Sequence, residues 1–498
     1  MTATGITTYK NYIGGTWTDS DSGKTYPITN PASNSSVIGE FQTSGASDAL
    51  RAAEAASSAL AGWAETPAPA RASVLFRALE IMRQRSDELA RTITIEEGKP
   101  LTDALGEVKR AMNIIEYAAG EGRRMFGYTT PSEIPNTVAY TVRRPMGVVA
   151  IITPWNFPIA IPAWKIAPAL ICGNALVFKP ASGTPFSAVK LVEIFEEAGL
   201  PPGVLNLITG PGSVVGNALV DSPLVNAISF TGSTEVGTDL YAQAARSLKK
   251  VQAEMGGKNA VILLADADLD KALGGIVQGA FGSTGQRCTA TSRVIVEEAI
   301  YDEFMEQLID RTSKLKLGNG LDADVDVSPL SSKNQYDTVM EYIGIGTEEG
   351  ADLILGGRSP SGGIFDEGYY VEPTIFTEVD QNMRIAQEEI FGPVLTVFKA
   401  KGLEDAIQIS NNVKFGLSSS IYTKDLTQAF QYINTVDAGM VHVNAPTLGG
   451  EVHLPFGGLK SSGVGQREQG VEAFDFFSEV ITVYIDHAAA ARQQARFI

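Results

Sequence analysis

Along the chain, apolar residues recur first at helical spacing and then in short unbroken runs. Between Ser47 and Ala119, Ala-, Leu- and Glu-rich segments carry apolar positions three and four apart, interrupted at Pro67, Pro69 and Pro100. That pattern predicts several packed helices. From Gly147 the rhythm changes. Residues 147–152 (GVVAII), 175–178 (ALVF), 204–208 and 226–230 are short apolar runs that read as buried strands, with further runs at 251–255 and 260–264. Helical stretches separate them at 163–171, at 187–198 before Gly199 and Pro201, from Ser213, and at 233–245. Strand and helix in alternation predict a parallel α/β sheet covered on both faces. A second α/β region runs from about Lys271 to Phe456, with strands at 292–296, 394–398 and 439–444. Two segments differ: 137–143 (TVAYTVR) and 479–485 (EVITVYI) alternate or nearly alternate. They read as β-ribbons that pair and offer an edge to a neighbouring subunit, or as an ordinary surface hairpin.

Composition narrows the class. The 498 residues allow about three domains. With 44% hydrophobic and 19% charged residues the chain has the balance of a globular protein. No apolar run approaches the ~18 residues of a membrane span. The start, MTATGITTYKNYIGG, lacks the basic and apolar stretches of a secretory signal. The alanine-rich stretch 488–491 is expected to be frayed. A net charge of −18 opposes a nucleic-acid or anionic-membrane partner and is read most simply as solubility. The two cysteines, Cys172 and Cys288, make no disulfide framework and point to a reducing, cytoplasmic compartment. The three histidines (His442, His453, His487) have no metal-ligand spacing, so no metal is expected.

Candidate chemistry sits at the ends of the predicted strands. Cys172, in ALICGNA, reads as apolar filler. Cys288, in GQRCTATSR, has polar neighbours and reads either as filler or as a nucleophile, with Arg287 placed to favour its thiolate. Glu254, in EMGGKN, ends an apolar run beside a Gly-Gly turn: a turn cap, or a general base. The rigid loop 153–158 (TPWNFP) offers one amide donor, Asn156, which suits an oxyanion hole or a structural turn. For phosphate, GPGSVVG (210–216) misses the dinucleotide fingerprint by one residue. Ser233 opens a helix after a strand, where free N–H groups attract an anion. Lys179 ends the 175–178 strand, within reach of a ribose or phosphate in the crevice there.

Taken in order, TPWNFP, KPAS, FTGSTEVG, EMGGKN, GQRC, QEEIFGPV (387–394) and PFGG (455–458) resemble the aldehyde dehydrogenase superfamily, from the IGGTW start at Ile13 to Ile485. The resemblance implies that Cys288 attacks an aldehyde, that Asn156 and the Cys288 N–H hold the oxyanion, and that Glu254 activates water to release the acid from a thioester. It implies a proton relay at Lys165 and Glu468. It places Thr153, Trp155, Lys179, Ser182, Gly212 and Ser233 along the dinucleotide, and Glu389 and Phe391 at its nicotinamide end. It also implies a Rossmann-type cofactor domain (1–131 and 146–254), an α/β catalytic domain (255–458) and a β-ribbon oligomerisation domain (132–145 and 459–498), assembled as a homodimer or homotetramer.

Within the family, residues 281–293, 159–170 and 445–458 look most like 2,5-dioxopentanoate (α-ketoglutarate semialdehyde) dehydrogenases. Succinate semialdehyde enzymes and broad-range aliphatic aldehyde dehydrogenases are the rivals. Succinate semialdehyde enzymes typically carry two pocket arginines where this chain has Gly282 and Trp164, neither able to pair with a carboxylate. Arg110 or Arg287 is the expected replacement, in a pocket walled by Phe157, Trp164 and Phe456. CoA-acylating relatives generally lack the Glu254 base. A non-catalytic, structural member of the family is disfavoured by Cys288, Asn156 and Glu254 together. NAD-preferring relatives commonly carry Glu where Ser182 stands; Ser182 removes that carboxylate's repulsion of a 2′-phosphate and adds a donor, while Lys179 supplies charge, so NADP is expected to be accepted and preferred over NAD.

Overall fold

The computed structural model describes residues 6–487, so the alanine-rich stretch and the first five residues lie outside it. Five parallel strands form the middle of an eight-stranded sheet, in the spatial order Leu205–Leu207, Ala175–Lys179, Val148–Ile152, Ala227–Thr231, Lys250–Glu254. The chain runs outward in one direction from Val148–Ile152 and then resumes on its other side with Ala227–Thr231. This reversal leaves a crevice at the strands' carboxyl ends, where doubly wound sheets bind ligands. Every residue of Val148–Ile152 and Ala175–Lys179 is buried. Val149 and Ile151 pack into one core while Val148, Ala150 and Ile152 pack into another, so the apolar run is explained by two covered faces.

The second sheet has seven strands, ordered Asp352–Leu355, Thr374–Thr377, Val394–Ala400, Arg293–Glu297, Ala260–Leu263, Ser418–Tyr422, Met440–Val443. All neighbours are parallel except the first pair. Val261 and Leu263 face one core, Ala260 and Ile262 the other. The predicted helical region resolves into four helices, Ala46–Glu65, Ala68–Gln84, Ser86–Glu97 and Leu101–Glu121. Pro67 and Pro100 mark the first and last breaks, Pro69 sits in a first turn where no N–H is needed, and the middle break falls at Arg85 without a proline. The stretch from Ser213 differs from a plain helix: Gly212–Gly216 is a π-turn that leads into Asn217–Asp221.

The two alternating segments do pair. Thr137–Pro145 and Ser478–Asp486 are antiparallel over their whole length, with Thr129–Thr130 on the outer edge. Val138, Val480, Tyr484 and Ile485 on this ribbon are exposed. The segment preceding its last strand also reaches back into the first sheet, where Gly463–Val464 lies antiparallel against Lys250–Glu254. No helix of the described residues is long and apolar enough to cross a membrane.

Candidate active site

Cys288 lies in the connection between the helix Leu269–Phe281 and the strand Arg293–Glu297. Asn259 of the EMGGKN segment fixes its backbone, donating from Nδ2 to the Cys288 and Ala290 carbonyls at 2.8 Å each. The thiol is pushed up to about 12, by burial first and then by the Glu389, Glu254 and Glu468 carboxylates. The Arg287 charge does not favour a thiolate as the sequence suggested. It is paired with Asp103 at 3.0 Å instead. Cys172 is fully enclosed, raised to about 12 by burial, and reads as filler here too.

Asn156 follows the central strand Val148–Ile152, at the point where the strand order reverses. Its Nδ2 donates to the Gln286 carbonyl at 3.0 Å, which sets the amide against the cysteine loop. Two residues that the sequence reading missed hold it there. Lys99, fully buried, donates to the Asn156 carbonyl, pairs with Glu107 at 2.8 Å and lies 3.9 Å from the Phe157 ring centre. Glu107 in turn accepts from Ile159 N at 2.8 Å and Ala160 N at 3.1 Å, satisfying free donors at the start of the helix Ala160–Ile171. The only sequence signal for this pair is two opposite charges eight positions apart around Pro100, a spacing equally common on a solvated surface.

Glu254 ends the strand Lys250–Glu254 and is buried. Its Oε2 accepts from Gly458 N at 3.1 Å. The adjoining Gly457 has to be glycine: at φ +151°, a Cβ would stand 2.2 Å from Glu254 Oε1. Burial, followed by the charge of Glu468, raises the Glu254 carboxyl well above the ordinary range. Behind it Lys165 forms an ion pair with Glu468 and donates to Ser229 Oγ at 2.9 Å. Glu468 Oε2 has no partner among the described residues.

The cofactor-side residues gather at the carboxyl ends of the same strands. Lys179 Nζ is buried and, among the described residues, donates only to the Pro180 carbonyl, at 2.9 Å; burial lowers its pKa to about 8. A Cβ on Gly212 would come within 3.6 Å of that amine, so the absent side chain leaves room beside the charge. Ser233 caps the helix Thr234–Ala245, accepting from Val236 N. Thr153 Oγ1 is buried and without a partner among the described residues. Ser182 differs from expectation in one respect: its hydroxyl donates to Gly210 O at 2.9 Å, so it is not a free donor. Glu389 accepts from Gly257 N at 2.9 Å and is raised to about 7 by burial. The Phe391 and Trp155 rings meet edge to face at 5.4 Å. A buried, unmatched lysine, a helix N-terminus and an orphaned hydroxyl together fit a nicotinamide dinucleotide.

On the other side of Cys288 is a cavity of about 230 Å³, lined by Arg110, Phe157, Trp164, Arg287, Cys288 and Phe456, together with Asp103 and Glu107. The structure thus brings all five expected substrate residues to one space. It distinguishes the two arginines. Arg287 is paired with Asp103, whereas Arg110 has no ion pair among the described residues. Arg110 donates to Gly450 O and to Gln469 Oε1, the latter at 2.9 Å, and lies 5.6 Å from the Trp164 ring centre.

Comparison with known proteins agrees with this geometry. The model of the aldehyde dehydrogenase family matches residues 17–483. The alpha-ketoglutaric semialdehyde dehydrogenase of Bacillus subtilis is 47% identical over 478 residues, covering 96% of this chain and 98% of that one. The 2,5-dioxopentanoate dehydrogenase of Saccharolobus solfataricus is 43% identical over 93% of this chain and 96% of its own length. Among solved structures, betaine aldehyde dehydrogenase from Staphylococcus aureus in complex with NAD+ superposes with a TM-score of 0.95 at 34% identity, over 98% and 97% of the two chains. A match running from Trp17 to the closing ribbon, carried by sequence and by fold alike, makes this chain a member of the aldehyde dehydrogenase family.

Proposed function

We propose that the protein oxidises 2,5-dioxopentanoate to 2-oxoglutarate, with NADP preferred over NAD. The observation that carries the substrate is Arg110: a guanidinium with no ion pair among the described residues, in the same cavity as Cys288. A carboxylated aldehyde supplies the missing counter-charge, which desolvation makes costly to leave out. The names of the Bacillus and Saccharolobus relatives support the same substrate.

In the reaction, the Cys288 thiol gives up its proton to solvent, Sγ bonds to the aldehyde carbon and the carbonyl oxygen takes up negative charge. Asn156 Nδ2 and the Cys288 N–H stabilise that oxygen. A bound nicotinamide supplies the hydride acceptor that leaves a thioester on Cys288. Glu254 then takes a proton from water, the water oxygen bonds to the acyl carbon, and the carbon–sulfur bond breaks to release the acid. Lys165 and Glu468 carry the proton away from Glu254.

For the cofactor, Ser182 leaves no carboxylate to repel a 2′-phosphate, and Lys179 supplies charge. That preference rests on the missing repulsion, since the Ser182 donor is engaged. The proposed division into cofactor (1–131, 146–254), catalytic (255–458) and oligomerisation (132–145, 459–498) domains is supported by the two large sheets and the ribbon, although Thr129–Thr130 and Gly463–Val464 pair across its bounds; the exposed apolar residues of the ribbon support a homodimer or homotetramer, and the cysteine usage supports the cytoplasm. The test is a panel of 2,5-dioxopentanoate, succinate semialdehyde and hexanal, each with NAD and NADP. The expected result is a kcat/KM for 2,5-dioxopentanoate at least about tenfold above the others. Equal use of hexanal would refute the substrate, and a strong preference for NAD would refute the cofactor reading.

A further inference from the structure

The turn that leads into Cys288 is backbone-strained. Ser283 and Thr284, neither of them glycine, stand in the left-handed region at φ +49° and +56°, and Gly285 continues the turn at φ +70°. An L-residue is strained there by its Cβ, and two in succession persist only where the surroundings impose them. Ser328 holds Thr284, its carbonyl accepting from Thr284 Oγ1 at 2.9 Å and its N–H donating back to that oxygen at 3.2 Å, and one carboxylate holds Ser283. Asp103 Oδ2 accepts from Ser283 N at 2.9 Å and from Ser283 Oγ at 2.7 Å. It also meets Arg287 Nη2 at 3.0 Å. Arg287 closes the knot by donating from Nε and Nη2 to Ser283 Oγ, at 3.1 and 2.8 Å. Asp103 belongs to the helix Leu101–Glu121, one turn before Glu107, which holds the Asn156 loop. One helix therefore grips both the nucleophile and the oxyanion donor.

We propose that Asp103 is a positioning residue: it locks the left-handed turn at Ser283, sets Cys288 against Asn156, and keeps Arg287 from competing with Arg110 for substrate. The proposal rests on Cys288 being the nucleophile.

Because the share of the strain that Asp103 holds is that of Ser283, its removal should make the carboxylate dispensable. Glycine adopts the left-handed turn without that cost. Asp103→Ala is expected to lower kcat about 10- to 100-fold on both 2,5-dioxopentanoate and hexanal, the scale of a small misplacement. In a Ser283→Gly background the same change should cost less than about threefold. Asp103→Asn keeps an acceptor for Ser283 but loses the charge. It should lower kcat less, while the freed Arg287 leaves KM for the carboxylated substrate unchanged or lower. The alkylation rate of Cys288 by iodoacetamide, with Cys172 enclosed, reads the loop without turnover and should change in Asp103→Ala and recover in the double variant. An equal penalty in both backgrounds, or unchanged kcat and alkylation, overturns the proposal. If Asp103→Ala does not fold, a KM for 2,5-dioxopentanoate that rises with the fall in kcat in Asp103→Asn does so. Turnover retained by Cys288→Ala would instead overturn the nucleophile reading.

Discussion

The two ends of the cleft around Cys288 each hold an unmatched positive charge, but they hold it differently. At the cofactor end Lys179 is enclosed, its amine resting on one main-chain carbonyl and its pKa lowered to about 8. At the substrate end Arg110 lies against an indole face and two oxygens, and its guanidinium stays charged despite burial. Two other buried cations nearby, Lys99 and Lys165, each have a carboxylate, and they hold loops and relays in place. The difference teaches how to sort buried charge in this molecule. Around this cleft the cations paired with carboxylates brace loops, and Lys179 and Arg110 are the ones open to a ligand's anion, whereas away from it a buried arginine such as Arg293 is satisfied by main-chain carbonyls alone.

Breaking the chemistry between the ends is the largest perturbation. Cys288→Ala should reduce turnover at least about 10³-fold, while binding of the dinucleotide, followed by fluorescence titration, stays the same. Loss of that binding would mean that the ends are not independent. Glu254→Gln should lower steady-state turnover about 10²- to 10⁴-fold yet preserve a burst of reduced cofactor near one per active site. Its pH dependence has a definite sign. The Glu254 carboxyl is raised, so it is protonated above the usual carboxylate range and becomes a base only as pH climbs further. Wild-type kcat should rise through that limb, and the glutamine variant should lack it. Burst and steady state falling together would remove Glu254 from deacylation.

Smaller effects separate the ends directly. Arg110→Leu should raise KM for 2,5-dioxopentanoate about 10- to 100-fold, the loss of one charged hydrogen-bonded pair, and spare hexanal and NADP. Arg287→Leu, whose charge already has Asp103, should change that KM much less. Equal effects of both variants on both aldehydes would leave neither arginine as the carboxylate partner. Lys179→Met should raise KM for NADP about tenfold and leave the aldehyde untouched. The smallest expected change is Ser182→Glu, a shift of about threefold or more in the NADP to NAD ratio of kcat/KM towards NAD. An unchanged ratio would show that this position does not read the 2′-phosphate.

How much of this was visible in the sequence depends on the range of the interactions. The strands were legible because burial on both faces writes an unbroken apolar run, as in 148–152. Cys288, Glu254 and Asn156 could be nominated from their short motifs, each beside a structural alternative, and only the resemblance carried by seven motifs in order gave them their expected roles. The clamp was not. Asp103 meets Ser283 across 180 positions and Lys99 meets Asn156 across 57, and nothing local marks either pair. The left-handed turn was hidden for a related reason: Ser and Thr stand where glycine would have announced it. The two arginines could be nominated from sequence but not ranked, since the ranking lies in which of them has an acid beside it.

The edge strand Gly463–Val464 has a consequence for the order in which the molecule becomes an enzyme during synthesis. Lys165 waits 303 residues for Glu468, and Glu254 waits 204 for Gly458 N–H. At a few to ~20 residues per second, a ribosome finishes the nucleophile many seconds before it makes the groups that complete the base and its relay. On the proposed mechanism, a nascent chain carrying Cys288 has the group that would form a thioester before it has the full machinery to release one. On that mechanism, turnover waits for residues 458–468, the stretch that leads into the final ribbon strand.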